Sequence, residues 1–327
     1  MFFTTKYINS LIKKDYINFI DKYYNDIFAN PNKYIELTEK KIEDYLWWWY
    51  VKLVNSGTTA LQLWLLLLWV KKWDEVILPA NTYSATAIAI TNIWAKPVFC
   101  DINLKNFTID IEDLEKKISS KTKVIIPVHL YWYACYMNEI KQIADKYSIK
   151  ILEDASHAFG WEYKKAKLWT IWNIWAFSCH LSKNFWTFWN GWIFYTKNKE
   201  IIQKLNNYIL PDIQNKEVLN SLRTPANIWV MDSIVLLLKL KYIDKIIESN
   251  LIKYNNFLLE HKDKDIILPE LDLDYNKLHI RNNVVLVNDR DIFIKNWLWE
   301  QYYKINLSEN WIFWSNNNLK NTKIFFD

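Results

Sequence analysis

Along the first 46 residues, apolar positions recur three and four apart, in INSLIKKDYINFIDKYY and again in YIELTEKKIEDYL, with Asn30-Pro31-Asn32 between them. That spacing places one apolar stripe on each of two helices and predicts a helical arm. From about residue 50 the pattern changes. Short β-branched runs alternate with helical stretches: YVKLV before TALQLWLLLLWV, EVILP before a helix around Ala85 to Ile93, then PVFCD, KVIIPVH before MNEIKQIADKYS, IKILE, WAFSC and WIFYT. Such alternation predicts an α/β fold with a mainly parallel sheet, helices on both faces, and ligands at the carboxyl ends of the strands. A helical stretch around Met231 to Glu248 leads into a final segment with one more apolar run, NNVVLVN, which reads as a smaller domain. The expected organisation is an N-terminal arm (1–46), a large domain (47–240) and a small C-terminal domain (241–327).

The candidate chemistry falls where strands end. After YVKLV comes Asn55-Ser56-Gly57-Thr58-Thr59 and a long helical run. A small-residue turn opening a helix points free N–H groups and hydroxyls at one place, which suits a phosphate, although a Ser-capped helix with no ligand has the same letters. After IKILE comes Asp154, three residues before His157. That pair can bind a metal, orient a base or hold a protonated ring nitrogen; a capping Asp beside a core His is the plain alternative. WAFSC runs into Ser178-Cys179-His180-Leu181-Ser182-Lys183. A lysine in a mostly uncharged, aromatic stretch is a candidate for desolvation, which frees its amine to form a Schiff base.

Charge adds little, because the net +5 is small and the lysines are scattered, so neither a nucleic-acid groove nor a membrane patch is expected. Cys100, Cys135 and Cys179 are odd in number and form no C-x-x-C pair, which argues against a disulfide framework or a zinc site and for a reducing, cytoplasmic setting. MFFTTKYINSLIKK lacks the features of a signal peptide, and the run Leu61 to Val70 is too short to span a bilayer. Composition does add something. The chain has 3 glycines and 20 tryptophans, and together they make up what glycine alone usually contributes, about 7%.

Taken in order, NSGTTAL, DEVILPANTYSATA, AKPVFCDI, IIPVHLYW, ILEDASHAFG and FSCHLSKNFWTFWNGW resemble the DegT/DnrJ/EryC1/StrS family of sugar aminotransferases from about Val54 to Lys197. The resemblance implies the aspartate-aminotransferase-like (type I) fold, pyridoxal 5'-phosphate as cofactor, no metal, and a homodimer with shared active sites. Carried over to this chain, Lys183 bonds covalently to the cofactor and then serves as the base that moves the substrate proton. Asp154 pairs with the pyridine nitrogen, His157 lies near the ring oxygen, and Tyr83 stacks on the ring. Gly57, Thr58, Thr59 and Ser178 form the phosphate cup, and Asn227 reaches the partner subunit's cofactor. The implied reaction moves an amino group, with glutamate as donor, onto a nucleotide-linked ketosugar, and SKNFWTFWNGW leans toward amination at carbon 3. A related dehydratase, with histidine in place of the lysine, and a non-catalytic relative are the alternatives.

The departures from the family pattern concentrate on one letter. Trp69, Trp73, Trp132, Trp169, Trp172, Trp175, Trp186, Trp189 and Trp192 fall on family glycines, and Trp94 falls in a loop where glycine is common. A bulky side chain is unsuited to turns that need positive φ or close backbone approach. The expectation is that these codons are UGA, read as glycine in some bacterial lineages; UGG codons would end that idea. Further, Asn190 replaces a usual acidic residue, Val230 replaces a usual basic one, Asn227 stands one place out of register, and Asp327 comes before the family's last helix.

Overall fold

The computed structural model describes residues 5–46, 50–130, 134–156, 159–160, 162–163, 166–167, 174–180, 183–209, 226–260 and 275–277. The run NNVVLVN and most of the expected small domain lie outside them.

Two helices form in the first segment, α1 (Thr5–Ala29) and α2 (Pro31–Leu46). Pro31 takes the first position of α2, where its missing N–H costs nothing. The helices fold back on the body of the protein: Ile27 and Tyr34 bury against Val230, Ile234 and Leu238, and Ile8 and Ile12 bury against Ile246. α2 also guards the strand that follows, β1 (Tyr50–Val54). Glu43 accepts from the Val51 N–H at 3.2 Å and Glu39 from the Leu53 N–H at 2.9 Å, while Glu39 also pairs with Lys52 at 3.2 Å. An edge strand left with open N–H groups is a template for aggregation, and here two carboxylates close it.

The chain then alternates: α3 (Gly57–Leu67), β2 (Glu75–Pro79), α4 (Ser84–Asn92), β3 (Lys96–Cys100), α5 (Ile111–Lys117), β4 (Thr122–Ile125) and α6 (Met137–Tyr147). The expected IKILE strand is split at Leu152 into β5 (Lys150–Ile151) and β6 (Glu153–Asp154). β7 (Glu162–Tyr163) and β8 (Ala166–Lys167) form a small ribbon with β11 (Tyr275–Lys277). β9 (Ile174–Ser178), β10 (Trp192–Thr196), α7 (Lys199–Ile209), α8 (Val230–Lys239) and α9 (Ile243–Glu260) complete the main body.

The broken strand joins two half-sheets. β5 pairs with β4, β6 pairs with β9, and Leu152 N–H donates to Ile125 O at 3.0 Å between them. The order across the sheet is β3-β2-β4-(β5/β6)-β9-β10-β1, parallel except for β10, which runs against both neighbours. The mainly parallel expectation therefore holds with one reversed strand. Reversal matters for the site, because β10 begins, rather than ends, at the ligand edge.

Alternating side chains sort the two cores, as the period of a strand requires. Val76, Leu78, Trp192 and Phe194 bury against α3, α4 and α7, while Ile77, Ile193 and Tyr195 face the opposite side. No helix among the described residues is long and apolar enough to cross a membrane.

Candidate active site

Asp154 closes β6 and is 3% exposed. Its Oδ2 accepts from Thr86 Oγ1 at 3.1 Å, and its Oδ1 accepts from the Ser156 N–H at 3.1 Å and from the Ser156 hydroxyl. Since Thr86 spends its only hydroxyl proton on Asp154, Thr82, 3.1 Å away, donates to Thr86. Burial raises the pKa of Asp154; the donors and the nearby Lys183 charge oppose that rise. The carboxylate is thus held by its surroundings and aimed from a rigid strand. Neither Thr82 nor Thr86 stands out in the sequence.

Lys183 sits on the loop between β9 and β10, partly exposed, with its N–H donating to His180 O at 2.8 Å. The loop is closed on itself. Cys179 N–H donates to Gly191 O at 2.6 Å, and Thr187 reaches Cys179 O through both its N–H (2.8 Å) and its hydroxyl (3.1 Å). Inside the loop, Phe185 is 1% exposed and stacks on Phe159 with centroids 4.2 Å apart. These contacts anchor the described part of the loop, on which Lys183 lies.

The first turn of α3 lies at the same edge. Ser56 caps it: its Oγ accepts from the Thr59 N–H at 3.2 Å and donates to Thr59 Oγ1 at 2.7 Å. Gly57 is the first helical residue, with Thr58 and Thr59 behind it. Ser178, buried at the end of β9, accepts from the His180 N–H at 3.3 Å. Ser178 is paired with Trp192 across β9 and β10, and Trp192 with Val54 across β10 and β1. The Trp192 indole consequently lies over Gly57: a Cβ built on Gly57 would stand 2.1 Å from indole Cζ2.

Tyr83 caps α4 at the end of β2 and is 70% exposed. Asn227 is exposed and bridges to Val54, while Asn55 N–H donates to Ala226 O at 2.8 Å. The structure therefore brings Gly57, Thr58, Thr59, Tyr83, Asp154, Ser178, Lys183 and Asn227 to one edge of the sheet. His157 lies outside the described residues.

Beneath Asp154 is a second polar pair that sequence reasoning missed. His129 and Glu153 are both fully buried, with Nε2 and Oε2 2.9 Å apart. His129 Nδ1 accepts from the Cys135 N–H at 3.2 Å, so the ring proton is on Nε2 and is donated to Glu153. Burial lowers the pKa of His129 to about 3 and pushes that of Glu153 well up, so the pair is neutral. The backbone ties it to the site, because His129 N–H donates to Asp154 O at 3.0 Å.

A buried carboxylate, a lysine whose charge it feels and a small-residue helix start, all at one edge of a sheet of this order, are features of the aspartate-aminotransferase-like fold that binds pyridoxal phosphate. The donor chemistry fits that cofactor: a carboxylate for a ring nitrogen, an amine for a carbonyl carbon, and N–H and hydroxyl groups for a phosphate. The model of the DegT/DnrJ/EryC1/StrS aminotransferase family matches residues 11–270, and the chain belongs to that family.

Relatives agree. The dTDP-3-amino-3,6-dideoxy-alpha-D-galactopyranose transaminase of Aneurinibacillus thermoaerophilus is 32% identical over 269 residues, 81% of this chain and 71% of that one. The 3-oxo-glucose-6-phosphate:glutamate aminotransferase of Bacillus subtilis is 36% identical over 191 residues, 57% of this chain and 42% of that one. The structure of NtdA from Bacillus subtilis with bound cofactor PMP superposes with a TM-score of 0.79 at 26% identity, covering 98% of this chain and 77% of that one. The chain spans less than half the length of several curated relatives it matches.

Proposed function

We propose that the chain is an aminotransferase that passes nitrogen from glutamate to the keto group of a nucleotide-linked sugar. What supports this reading is that the buried Asp154 feels the charge of Lys183, which follows β9 at the same edge of the sheet. When bound, pyridoxal phosphate supplies an electron sink for the pair released as the substrate C–H bond breaks. Asp154 holds a proton on the ring nitrogen, and Thr86 and Ser156 hold Asp154. Gly57, Thr58, Thr59 and Ser178 hold the phosphate, Tyr83 covers the ring face, and His157 lies by the ring oxygen. Lys183, once displaced by substrate, takes the proton from one carbon and returns it to the other. The dehydratase alternative calls for histidine at 183, where this chain has lysine.

Two relatives carry position 3 of the sugar in their names, 3-oxo in one and 3-amino in the other. They support amination at carbon 3, and the Bacillus name supports glutamate as donor. A homodimer with shared sites completes the proposal. It is supported by exposed apolar residues around the site: Tyr83 at 70% and Phe188 at 48%. The test is a half-reaction. The protein loaded with pyridoxal phosphate should lose its lysine-bound visible absorbance on adding glutamate and recover it on adding a nucleotide-linked 3-ketosugar. An absorbance unmoved by glutamate would overturn the reading.

A further inference from the structure

Among the described residues, the non-glycine residues with positive φ are Trp69 (63°), Trp73 (72°), Trp94 (62°), Phe107 (59°) and Ser148 (55°). Three of these are tryptophans, and all three are exposed, at 71%, 67% and 67%. Their hydrogen bonds show what kind of backbone they occupy. After α3, Trp69 N–H donates to Leu66 O at 3.0 Å and Val70 N–H to Leu65 O at 3.0 Å. After α4, Trp94 N–H donates to Thr91 O at 2.9 Å and Ala95 N–H to Ile90 O at 3.2 Å. Both are the paired closing bonds of a Schellman helix end, whose left-handed position is usually glycine. Trp73 is the third residue of a turn closed by Asp74 N–H donating to Lys71 O at 3.1 Å. Positive φ at that position is the mark of a type II turn, which again selects glycine.

Trp192 has ordinary φ, but its side chain is crowded. Its indole lies on Gly57, the first residue of α3, and residue 192 is paired with Ser178 across β10 and β9. A residue without a side chain at 192 leaves room beside Gly57, at the first position of α3; an indole fills it. The rival account is that surface tryptophans here serve as cation–π platforms, since Lys72 Nζ lies 5.1 Å from the Trp73 ring and 5.4 Å from the Trp94 ring. That contact does not explain why the rings sit at left-handed backbone positions, nor does it reach Trp192.

We infer that in its own cell the chain carries glycine, not tryptophan, at positions 69, 73, 94 and 192. The backbone at three positions and the crowding at the fourth select the same residue, and the scarcity of glycine in the chain has the same cause: a codon read as glycine. The inference needs no assumption about the reaction. It does bear on cofactor binding, since the indole of residue 192 touches Gly57 in the first turn of α3.

The test is tandem mass spectrometry of peptides from the protein isolated from its native cell. Glycine at all four positions is expected; tryptophan at any of them overturns the assignment there. A recombinant comparison gives a second readout. The chain with W69G, W73G, W94G and W192G should melt at a higher temperature and bind pyridoxal phosphate about tenfold more tightly than the tryptophan chain, as recovery of one good polar contact would give. A lower melting temperature for W192G alone would show that the indole is a native core group, because removing such a group leaves a destabilising cavity. Either result stands whether or not the protein proves to be an aminotransferase.

Discussion

Thr86 Oγ1 donates to Asp154 Oδ2 at 3.1 Å, joining the first turn of α4 to the end of β6. Burial favours the neutral form of Asp154, and this bond favours the charged form. In Thr86→Val the carboxyl pKa therefore rises further. Removing a donor to the charged form leaves burial less opposed. The acid limb of kcat/KM against pH should move up, and an unmoved limb would separate Asp154 from the proton chemistry.

Lys183→Ala should reduce turnover by about 10³-fold or more, the scale of a lost general base. Lys183 is partly exposed and outside the apolar clusters, so the thermal midpoint should stay within a few degrees. Stopped-flow turnover and a circular dichroism melt check the two halves. Retained transamination would sink the assignment.

Ser178→Ala should weaken binding of pyridoxal phosphate about tenfold, with a smaller change in kcat. Ser178 also accepts from the His180 N–H, so that end of the lysine loop should loosen as well. An absorbance titration against cofactor, with hydrogen exchange of the His180 amide, reads both. Unchanged affinity would remove Ser178 from the phosphate cup.

Glu153 governs a pH dependence of stability. Its folded pKa is raised by burial, so the folded chain holds a proton that the unfolded chain releases above the ordinary carboxylate range. Its contribution is complete at low pH and is lost as pH rises through the folded value. His129 acts oppositely: its folded pKa of about 3 makes the native state lose stability as pH falls below about 6.5 toward 3. Glu153→Gln stays neutral and still accepts from His129 Nε2. Its melting temperature should fall less than that of the parent as pH rises above the ordinary carboxylate range, and parallel curves would refute a neutral Glu153.

Much of the site was legible because each of its main residues ends a recognisable strand: Gly57 after YVKLV, Asp154 after IKILE, Ser178 in WAFSC. Their strands are short apolar runs whose period shows in the letters. Thr86 was not legible, because it reaches Asp154 across 68 residues and occupies an ordinary helical position. His129 and Glu153 pair across 24 residues within runs that read as plain strands. The reversal of β10 left no trace either, since WIFYT alternates in the same way read in either direction. The split at Leu152 belongs to the same class: it arises where one strand serves two partners, and no local pattern encodes a change of partner.

The segment from Cys179 to Gly191 is clasped at its base by the bond between those two residues. Its described residues are also tied to Phe159, to Asn250, which donates to Asn184 Oδ1 at 2.9 Å, to Tyr16, whose ring meets Phe188, and to Asp232, which accepts from the Trp189 N–H at 3.1 Å. A segment anchored this way acts as a cassette with a fixed footprint. The residue at 183 can be exchanged without redrawing the loop around it, whereas one residue added or removed between the clasp points would shift every contact at once. Laboratory evolution of this scaffold should accordingly accept substitutions in the cassette and reject changes in its length.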